Sequence, residues 1–221
     1  VIAHKKADLP LEVSILDIEQ GGKKDVSERV WLTDITLSNQ SWSYVEGQTY
    51  KDPKLVIRNF IDVISKNGVV LLNISPLADG SVPEAQKEVL REMGAWLKKH
   101  DEAIYGTRAR LEYGFGSAKA QDNKYGGQTA TVKYSGSDVR FTESKDKKTI
   151  YTFFLGKPEP GKVKLKSLSA INFPPISPVK RVTLMGSDQE LEFAFNDHDN
   201  YIVLPETGLD ETATVVKIEM E

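Results

Sequence analysis

The sequence predicts an α/β fold followed by an all-β fold, because the pattern of apolar residues changes partway along the chain. Up to about residue 100, strand-like apolar runs alternate with runs of helical periodicity, which is typical of a parallel α/β arrangement. After about residue 108, short alternating runs are separated by turn residues, which is typical of an antiparallel β-sandwich. We therefore divide the 221 residues into two predicted domains, residues 1–108 and residues 109–221, each long enough to bury a core.

The first strand and the first helix have clear boundaries. Residues 13–19 (VSILDIE) are rich in β-branched side chains and predict a strand that ends before Gly21. A helix is expected to begin at Asp52 and Pro53, which supply an N-cap and a first helical residue, and to end at Gly68.

A second strand and a second helix follow. Residues 69–74 (VVLLNI) form a continuous apolar run, which predicts a strand buried on both faces. Pro83 opens a helix whose apolar stripe runs through Trp96. These units predict a parallel sheet, and they are too few to form a closed barrel.

The second part begins with a loop that contains Gly114 and Gly116 and continues as short strands. The strands are predicted at residues 129–134, 139–142, 149–155, 163–168, 181–185, 190–195, 201–204 and 212–219.

Composition excludes several classes of function. The formal net charge of −3 provides no general attraction to nucleic acid, and no apolar run is long enough to span a bilayer. The absence of cysteine excludes disulfides and thiolate chemistry. The three histidines do not cluster with other ligands, so we expect no metal and no cofactor. The chain starts without Met or a signal-peptide pattern, so we interpret it as a piece of a longer protein rather than a trimmed mature chain.

Two carboxylates form the first candidate for chemistry. Asp17 and Glu19 share one face of the first strand and lie at its carboxyl end, where parallel barrels place their active sites. Two neighbouring carboxylates in a partly dry cleft disfavour double ionisation, so one of them keeps a proton, as a general acid for a glycosidic oxygen requires. From spacing alone, solvated charges on an edge strand are the commoner explanation, since most carboxylates are simply solvated.

Aromatic residues form the second candidate. Trp31 and Trp42 lie among small polar residues, an arrangement that suits stacking on a sugar face with hydrogen bonds to its hydroxyls. The alternative is that both tryptophans are core residues, which is the commoner role of tryptophan.

Three segments resemble the final barrel segment of glycoside hydrolase family 29 α-L-fucosidases. They are WLTDITLSNQSWSY (31–44), KLVIRNFIDVISKNGVVLLNISPLADGSVP (54–83) and LREMGAWLKKHDEAIYGTR (90–108). The resemblance covers roughly residues 13–108 in consistent order. It implies that the chain is the last part of a (β/α)8-like barrel followed by an antiparallel β-sandwich.

The resemblance also implies roles for individual residues. Glu19 occupies the place of the acid/base, and Asp17 is its rival or a neighbour that influences its protonation. Trp42 stands where the family has an aromatic that packs against the methyl side of fucose, and Trp31 lines or supports the same pocket. Ser43 and Asn67 stand where the family pattern has Gly. Many relatives also supply a sugar-binding Arg from the strand before the acid/base, where this chain has only His4, Lys5 and Lys6, and His4 is expected to face solvent.

The expected activity is therefore retaining exo-α-L-fucosidase, acting on fucosylated glycans. In the family the nucleophilic aspartate lies upstream, so the partner of this chain would be a missing N-terminal barrel segment, and the chain alone is expected to be inactive. The resemblance further implies a periplasmic, extracellular or lysosomal-type compartment. The alternative is a carbohydrate-binding or structural domain pair without catalysis, in which aromatics of the sandwich such as Tyr113, Phe115, Tyr125 and Tyr134 bind glycan.

Overall fold

The chain folds into two units, each described here by itself. The computed structural model describes residues 2–6, 8–122, 124, 131–165, 167–168, 176–187, 189–196 and 199–221. The first unit comprises the described residues of 1–96 and 119–133, and the second comprises those of 97–118 and 134–221. No helix in these ranges combines the length and apolar character that a membrane-spanning segment requires.

The first unit is built on parallel strands, as the sequence predicts, but the strands at Ala3–His4 and Trp31–Thr36 were not among the predicted ones. The strands are β1 (Ala3–His4), β2 (Ile15–Leu16), β3 (Trp31–Thr36) and β4 (Gly68–Asn73). β1 pairs with β2, a bridge from Asp17 to Leu32 continues the pairing to β3, and β3 pairs with β4, all in parallel. The carboxyl ends of four strands therefore meet at one edge of the first unit.

Helix α1 (Pro53–Ser65) has the predicted start. The Asp52 carboxylate accepts a hydrogen bond from the backbone N–H of Lys54 at 2.8 Å, and Pro53 occupies the first turn. The helix ends just before Asn67, whose φ of 65° lies in the left-handed region that Asn and Gly tolerate best. Asn can therefore stand where the family has Gly. The second predicted helix is α2 (Glu84–Lys99).

The two faces of the parallel sheet differ in burial. One face packs Ile18 and Trp31 against Val63 of α1. On the other face, Val69 and Leu71 of β4 are 49% and 58% exposed. The prediction that residues 69–74 are buried on both faces is therefore wrong for this chain, because no described residue of this unit covers alternate side chains of β4.

The second unit contains a short helix, α3 (Asp101–Ile104), and two antiparallel sheets. The large sheet has the order β10-β9-β13-β7-β6-β5, and the small sheet has the order β11-β12-β8. Their bounds are β5 (Thr107–Phe115), β6 (Val139–Ser144), β7 (Thr149–Phe154), β8 (Gly161–Lys164), β9 (Val179–Leu184), β10 (Gln189–Glu190), β11 (Phe193–Phe195), β12 (Asn200–Leu204) and β13 (Thr214–Met220). Side chains of both sheets, such as Phe141 and Ile202, share one core, so the sheets pack face to face as a sandwich.

In the second unit, strand β5 departs most from the sequence prediction, which placed most of its residues in a loop. Gly114 has a φ of 145°, and a Cβ there would lie 2.0 Å from the Val139 carbonyl oxygen of β6. The register between β5 and β6 shifts between Ala109 and Gly114. The glycine therefore allows a close approach inside an irregular strand pair. The predicted strand at 129–134 is partly outside the described residues, and 131–134 contain no strand.

Candidate active site

Four charged side chains meet at the carboxyl edge of the parallel sheet. The Lys5 ammonium lies 2.5 Å from Glu19 Oε2, 3.4 Å from Asp34 Oδ2 and 3.8 Å from Asp17 Oδ2. These residues follow β1, follow β2 and lie within β3, so three neighbouring strands supply the cluster. The sequence-predicted pair, Asp17 and Glu19, is therefore joined by a lysine and a third carboxylate.

Glu19 is placed by a tight turn after β2. The turn closes with a hydrogen bond from Gly21 N to the Ile18 carbonyl at 2.9 Å, and the Thr33 hydroxyl donates to the Ile18 carbonyl at 2.9 Å. A Cβ on Gly21 would lie 2.2 Å from the Lys124 carbonyl oxygen, so only glycine fits this approach. With its backbone held, the Glu19 side chain is 35% exposed at the rim.

Asp17 is the more buried of the two predicted carboxylates. Its side chain is only 9% exposed, and its Oδ1 accepts a hydrogen bond from the backbone N–H of Asp34 at 3.3 Å. Burial and the negative charge of Asp34 raise the pKa of Asp17 to about 6, against the lowering effect of the Lys5 ammonium and of the backbone hydrogen bond. Asp17 is thus a carboxyl group that exchanges its proton close to neutral pH.

The charges around Lys5 act in the opposite direction on the ammonium. Partial burial disfavours its charged form, but the hydrogen bond to Glu19 and the charges of Asp34, Glu19 and Asp17 outweigh burial and raise the pKa of Lys5. Lys5 is therefore a permanent cation at neutral pH, and it is the counterion of the cluster.

Trp42 lies in the loop that follows β3, at the same edge of the sheet. The Asn73 amide at the end of β4 donates to the Trp42 carbonyl at 2.9 Å and to the Thr36 hydroxyl at 3.1 Å. The buried Lys51 ammonium donates to the carbonyls of Thr36 at 2.6 Å and Ser38 at 2.8 Å, and burial lowers the pKa of Lys51. The backbone that leads to Trp42 and the Trp42 carbonyl are thus anchored, and the residue remains half-buried.

Trp31 has a different environment from Trp42. Its indole is 1% exposed, packs against Ile18 and Val63, and donates from Nε1 to the Lys66 carbonyl at 2.9 Å. It is the first residue of β3 and lies on the face opposite Asp34, since side chains alternate along a strand. Of its two expected roles, this buried position favours Trp31 as a support of the sheet over Trp31 as a residue that lines the pocket.

Sequence reasoning missed Lys5 and Asp34 as members of the site. Strand alternation could have found them, because Asp34 shares its face with Leu32, which bridges to Asp17. The other residue near the start, His4, was expected to face solvent. It is 7% exposed, and its Nδ1 has no hydrogen-bond partner in the described structure.

Three of the aromatics that would support a glycan-binding sandwich are described by the structure, and they lie within the second unit. Tyr113 lies under the Arg140 guanidinium, 5.3 Å from its ring centroid, and Phe115 packs against Phe141 with ring centroids 6.2 Å apart. Tyr134 is half-buried, and Tyr125 lies outside the described residues. Among the described side chains, no group of three or more His, Cys, Asp or Glu residues is placed to hold a metal ion.

Two family models match the chain, one in each part. The model described as "Alpha-L-fucosidase" matches residues 5–102, and the model described as "Alpha-L-fucosidase C-terminal domain" matches residues 133–219. Together they include all four charged residues of the cluster and most of the two antiparallel sheets.

Similar proteins carry the same description. The plasma alpha-L-fucosidase of Rattus norvegicus is 32% identical over 136 residues, which are 60% of this chain and 26% of the rat protein. The human plasma alpha-L-fucosidase is 28% identical over 182 residues, which are 81% of this chain and 32% of the human protein. The chain thus spans about a third or less of the length of these curated relatives.

Solved structures share the fold. Alpha-L-fucosidase isoenzyme 1 from Paenibacillus thiaminolyticus superimposes with a TM-score of 0.68 at 24% identity, covering 94% of this chain and 45% of that structure. The Thermotoga maritima alpha-fucosidase in complex with fucose gives a TM-score of 0.68 at 24% identity, covering 92% of this chain and 42% of that structure. At this identity the likeness establishes the fold.

Proposed function

Because the chain belongs to the α-L-fucosidase family of glycoside hydrolases, we propose that it is the C-terminal portion of a retaining exo-α-L-fucosidase with Glu19 as its acid/base. The observation that carries the proposal is the convergence of Lys5, Asp17, Glu19 and Asp34 at the carboxyl edge of parallel strands. Parallel barrels build their active sites at this edge, and glycoside hydrolysis needs paired carboxylates there.

Glu19 suits the acid/base role better than Asp17. The Glu19 carboxylate is 35% exposed at the rim, where it can reach a glycosidic oxygen. Asp17 is 9% exposed, and its carboxylate accepts a backbone hydrogen bond from β3. This buried hydrogen bond between neighbouring strands leaves it poorly placed to reach a glycosidic oxygen. Asp17 acts instead on the charge balance of the cluster.

The mechanism follows the double displacement of retaining glycosidases. A carboxylate nucleophile attacks the anomeric carbon while Glu19 protonates the departing oxygen, and a glycosyl-enzyme ester forms. Glu19, now ionised, takes a proton from water, which attacks the anomeric carbon and releases L-fucose with retained configuration. Trp42, anchored by Asn73, offers its indole to the apolar side of the sugar.

The remaining strands of the barrel and the nucleophile come from a preceding segment of the parent protein. The uncovered face of β4, with Val69 and Leu71 about half exposed, supports this assignment. Exposed apolar side chains in alternating positions on a parallel strand match the inner layers of a barrel, which further strands fill. The substrate is a fucosylated glycan. Relatives named plasma and tissue alpha-L-fucosidases support an extracellular, periplasmic or lysosomal-type compartment.

The test of Glu19 is the variant Glu19→Gln in the complete enzyme. We expect kcat on fucosides with poor leaving groups to fall by about 10²- to 10⁴-fold, because the departing oxygen loses its proton donor. Activated aryl fucosides should lose less in the first step, and added azide should partly rescue the second. Glu12→Gln is a matched control, since Glu12 is 69% exposed on the surface. Near-normal activity of Glu19→Gln on a natural fucoside would contradict the assignment.

A second test concerns the isolated 221-residue chain. Without a nucleophile from the preceding segment, the purified chain is expected to leave an aryl α-L-fucoside intact over hours. Turnover that co-purifies with the chain through successive columns would mean that the chain contains a nucleophile of its own. The proposal that the nucleophile comes from a preceding segment would then be wrong.

A further inference from the structure

Lys5 has more negative charge around it than one cation can neutralise. Three carboxylates, those of Glu19, Asp34 and Asp17, lie 2.5, 3.4 and 3.8 Å from its ammonium. If all three were ionised, the cluster would carry two uncompensated negative charges in a partly buried position. A proton within the cluster removes one of them.

The structure indicates where this proton lies. The Oδ1 atom of Asp34 is buried and has no hydrogen-bond partner among the described atoms. The Asp17 carboxyl lies beside it, since its Oδ1 accepts from the Asp34 backbone N–H at 3.3 Å and both carboxylates lie within 3.8 Å of the Lys5 ammonium. Burial together with the charge of Asp34 raises the pKa of Asp17 to about 6. A proton on Asp17 can therefore be donated to Asp34 and satisfy the unpaired oxygen, since a buried acceptor without a partner is costly.

We infer that Lys5 is a positioning residue for Glu19, and that Asp17 and Asp34 share one proton beside it. The ammonium is then left to hold Glu19 through Oε2, which accepts its hydrogen bond both when the other Glu19 oxygen carries the proton for the acid step and when Glu19 is ionised for the base step. This inference rests on the proposed function, because it assumes that Glu19 is the acid/base. It goes beyond that function because it assigns a positioning role to Lys5 and a proton-sharing role to Asp34. The contact of 2.5 Å between Lys5 and Glu19, against 3.4 and 3.8 Å to the pair, fits this division.

The arrangement links the protonation of the pair to the position of Glu19. The charged groups that face Lys5 are Asp17 and Glu19 after β2 and Asp34 on β3, whereas β4 presents the apolar Leu71 at the level of Asp34. When the Asp17–Asp34 pair loses its proton, a second negative charge appears 3.4–3.8 Å from the ammonium and competes with Glu19 for it. Glu19 is then held less firmly.

The first arm of the test measures catalysis in the complete enzyme. Lys5→Met should lower kcat on a fucoside with a poor leaving group by about 10- to 100-fold with little change in KM, because the acid/base is misplaced and the sugar is not. Lys5→Arg should recover most of the loss, since it restores a cation near Glu19. Lys24→Met removes an exposed lysine and should stay within about twofold of the wild type.

The second arm does not depend on catalysis. It measures the pH midpoint of the Asp17 carboxyl by carbon-13 NMR titration of the 221-residue chain. The wild-type midpoint should lie near 6. Asp34→Asn should lower it and Lys5→Met should raise it, each by about one pH unit, because they remove a negative and a positive neighbour respectively. Lys24→Met should leave the midpoint unchanged.

The two arms separate the possible failures. If Lys5→Met raises KM without lowering kcat, or changes neither, the positioning role of Lys5 is overturned. An Asp17 midpoint that both variants leave in place would overturn the shared proton. If the complete wild-type enzyme cleaves no fucoside, the proposed function fails, and the NMR arm still decides whether the carboxyl pair and Lys5 are coupled.

Discussion

Replacing Asp17 with asparagine should stabilise the first unit at neutral and higher pH. In the folded chain the Asp17 carboxyl is buried beside Asp34, which raises its pKa from an ordinary value of 3.8 to about 6. Asparagine carries no charge at any pH. It keeps an oxygen for the backbone N–H of Asp34, and its amide can donate to the buried Asp34 oxygen that lacks a partner.

The sign follows from proton linkage. Between the two pKa values the folded chain binds a proton at Asp17 that the unfolded chain has lost, so the wild-type free energy of unfolding falls as pH rises from about 4 to about 6. At 1.36 kcal/mol per pH unit, the difference corresponds to at most about 3 kcal/mol. The Asp17 side chain is 9% exposed and solvent screens part of its charge, so we expect a gain of about 1–2 kcal/mol for Asp17→Asn above pH 7.

Urea unfolding followed by tryptophan fluorescence is the measurement. The three tryptophans of the chain, Trp31, Trp42 and Trp96, all belong to the first unit, so the signal reports on that unit. Asp17→Asn should gain stability over the wild type at about pH 8 and much less at about pH 4.5. Asp25→Asn, an exposed carboxyl in the loop before β3, should change stability by less than about 0.5 kcal/mol at both pH values. An equal change for Asp17→Asn at both pH values would refute the reasoning.

Two further predictions concern the packing behind the site and use the same fluorescence assay. Lys66→Met should destabilise the first unit by roughly 3–5 kcal/mol, because it leaves the Asp62 carboxylate buried without the ammonium 2.8 Å away; a loss below about 1 kcal/mol would mean that the pair is not buried in solution. Gly68→Ala should cost about 1–3 kcal/mol, since its Cβ would lie 2.6 Å from the Trp31 ring. Gly94→Ala is its control: it has open space around it within α2 and should stabilise by about 0.5–1 kcal/mol. Equal effects of the two glycine variants would contradict the close packing under Trp31.

Elements with a local signal were predictable from the sequence. The Asp52 cap and Pro53 define the start of α1, and α1, α2 and the later β-strands follow from apolar periodicity. Strand β5 was not predictable, because its glycines suggest a loop until the partner strand is known. Gly114 leaves room for the Val139 carbonyl of β6, and this contact joins residues that are far apart in the sequence.

The candidate site divides in the same way. The sequence by itself predicted that Asp17 and Glu19 lie at the carboxyl end of a strand, that Trp42 lies among small polar residues, and that the chain resembles one family of glycoside hydrolases. Only the tertiary structure decided that Lys5 and Asp34 join those carboxylates. The physical reason is that residue spacing sets which side chains share a face within one strand, whereas the register between strands sets which faces meet. For the same reason Trp31 lies behind the sheet, although its sequence neighbours are polar.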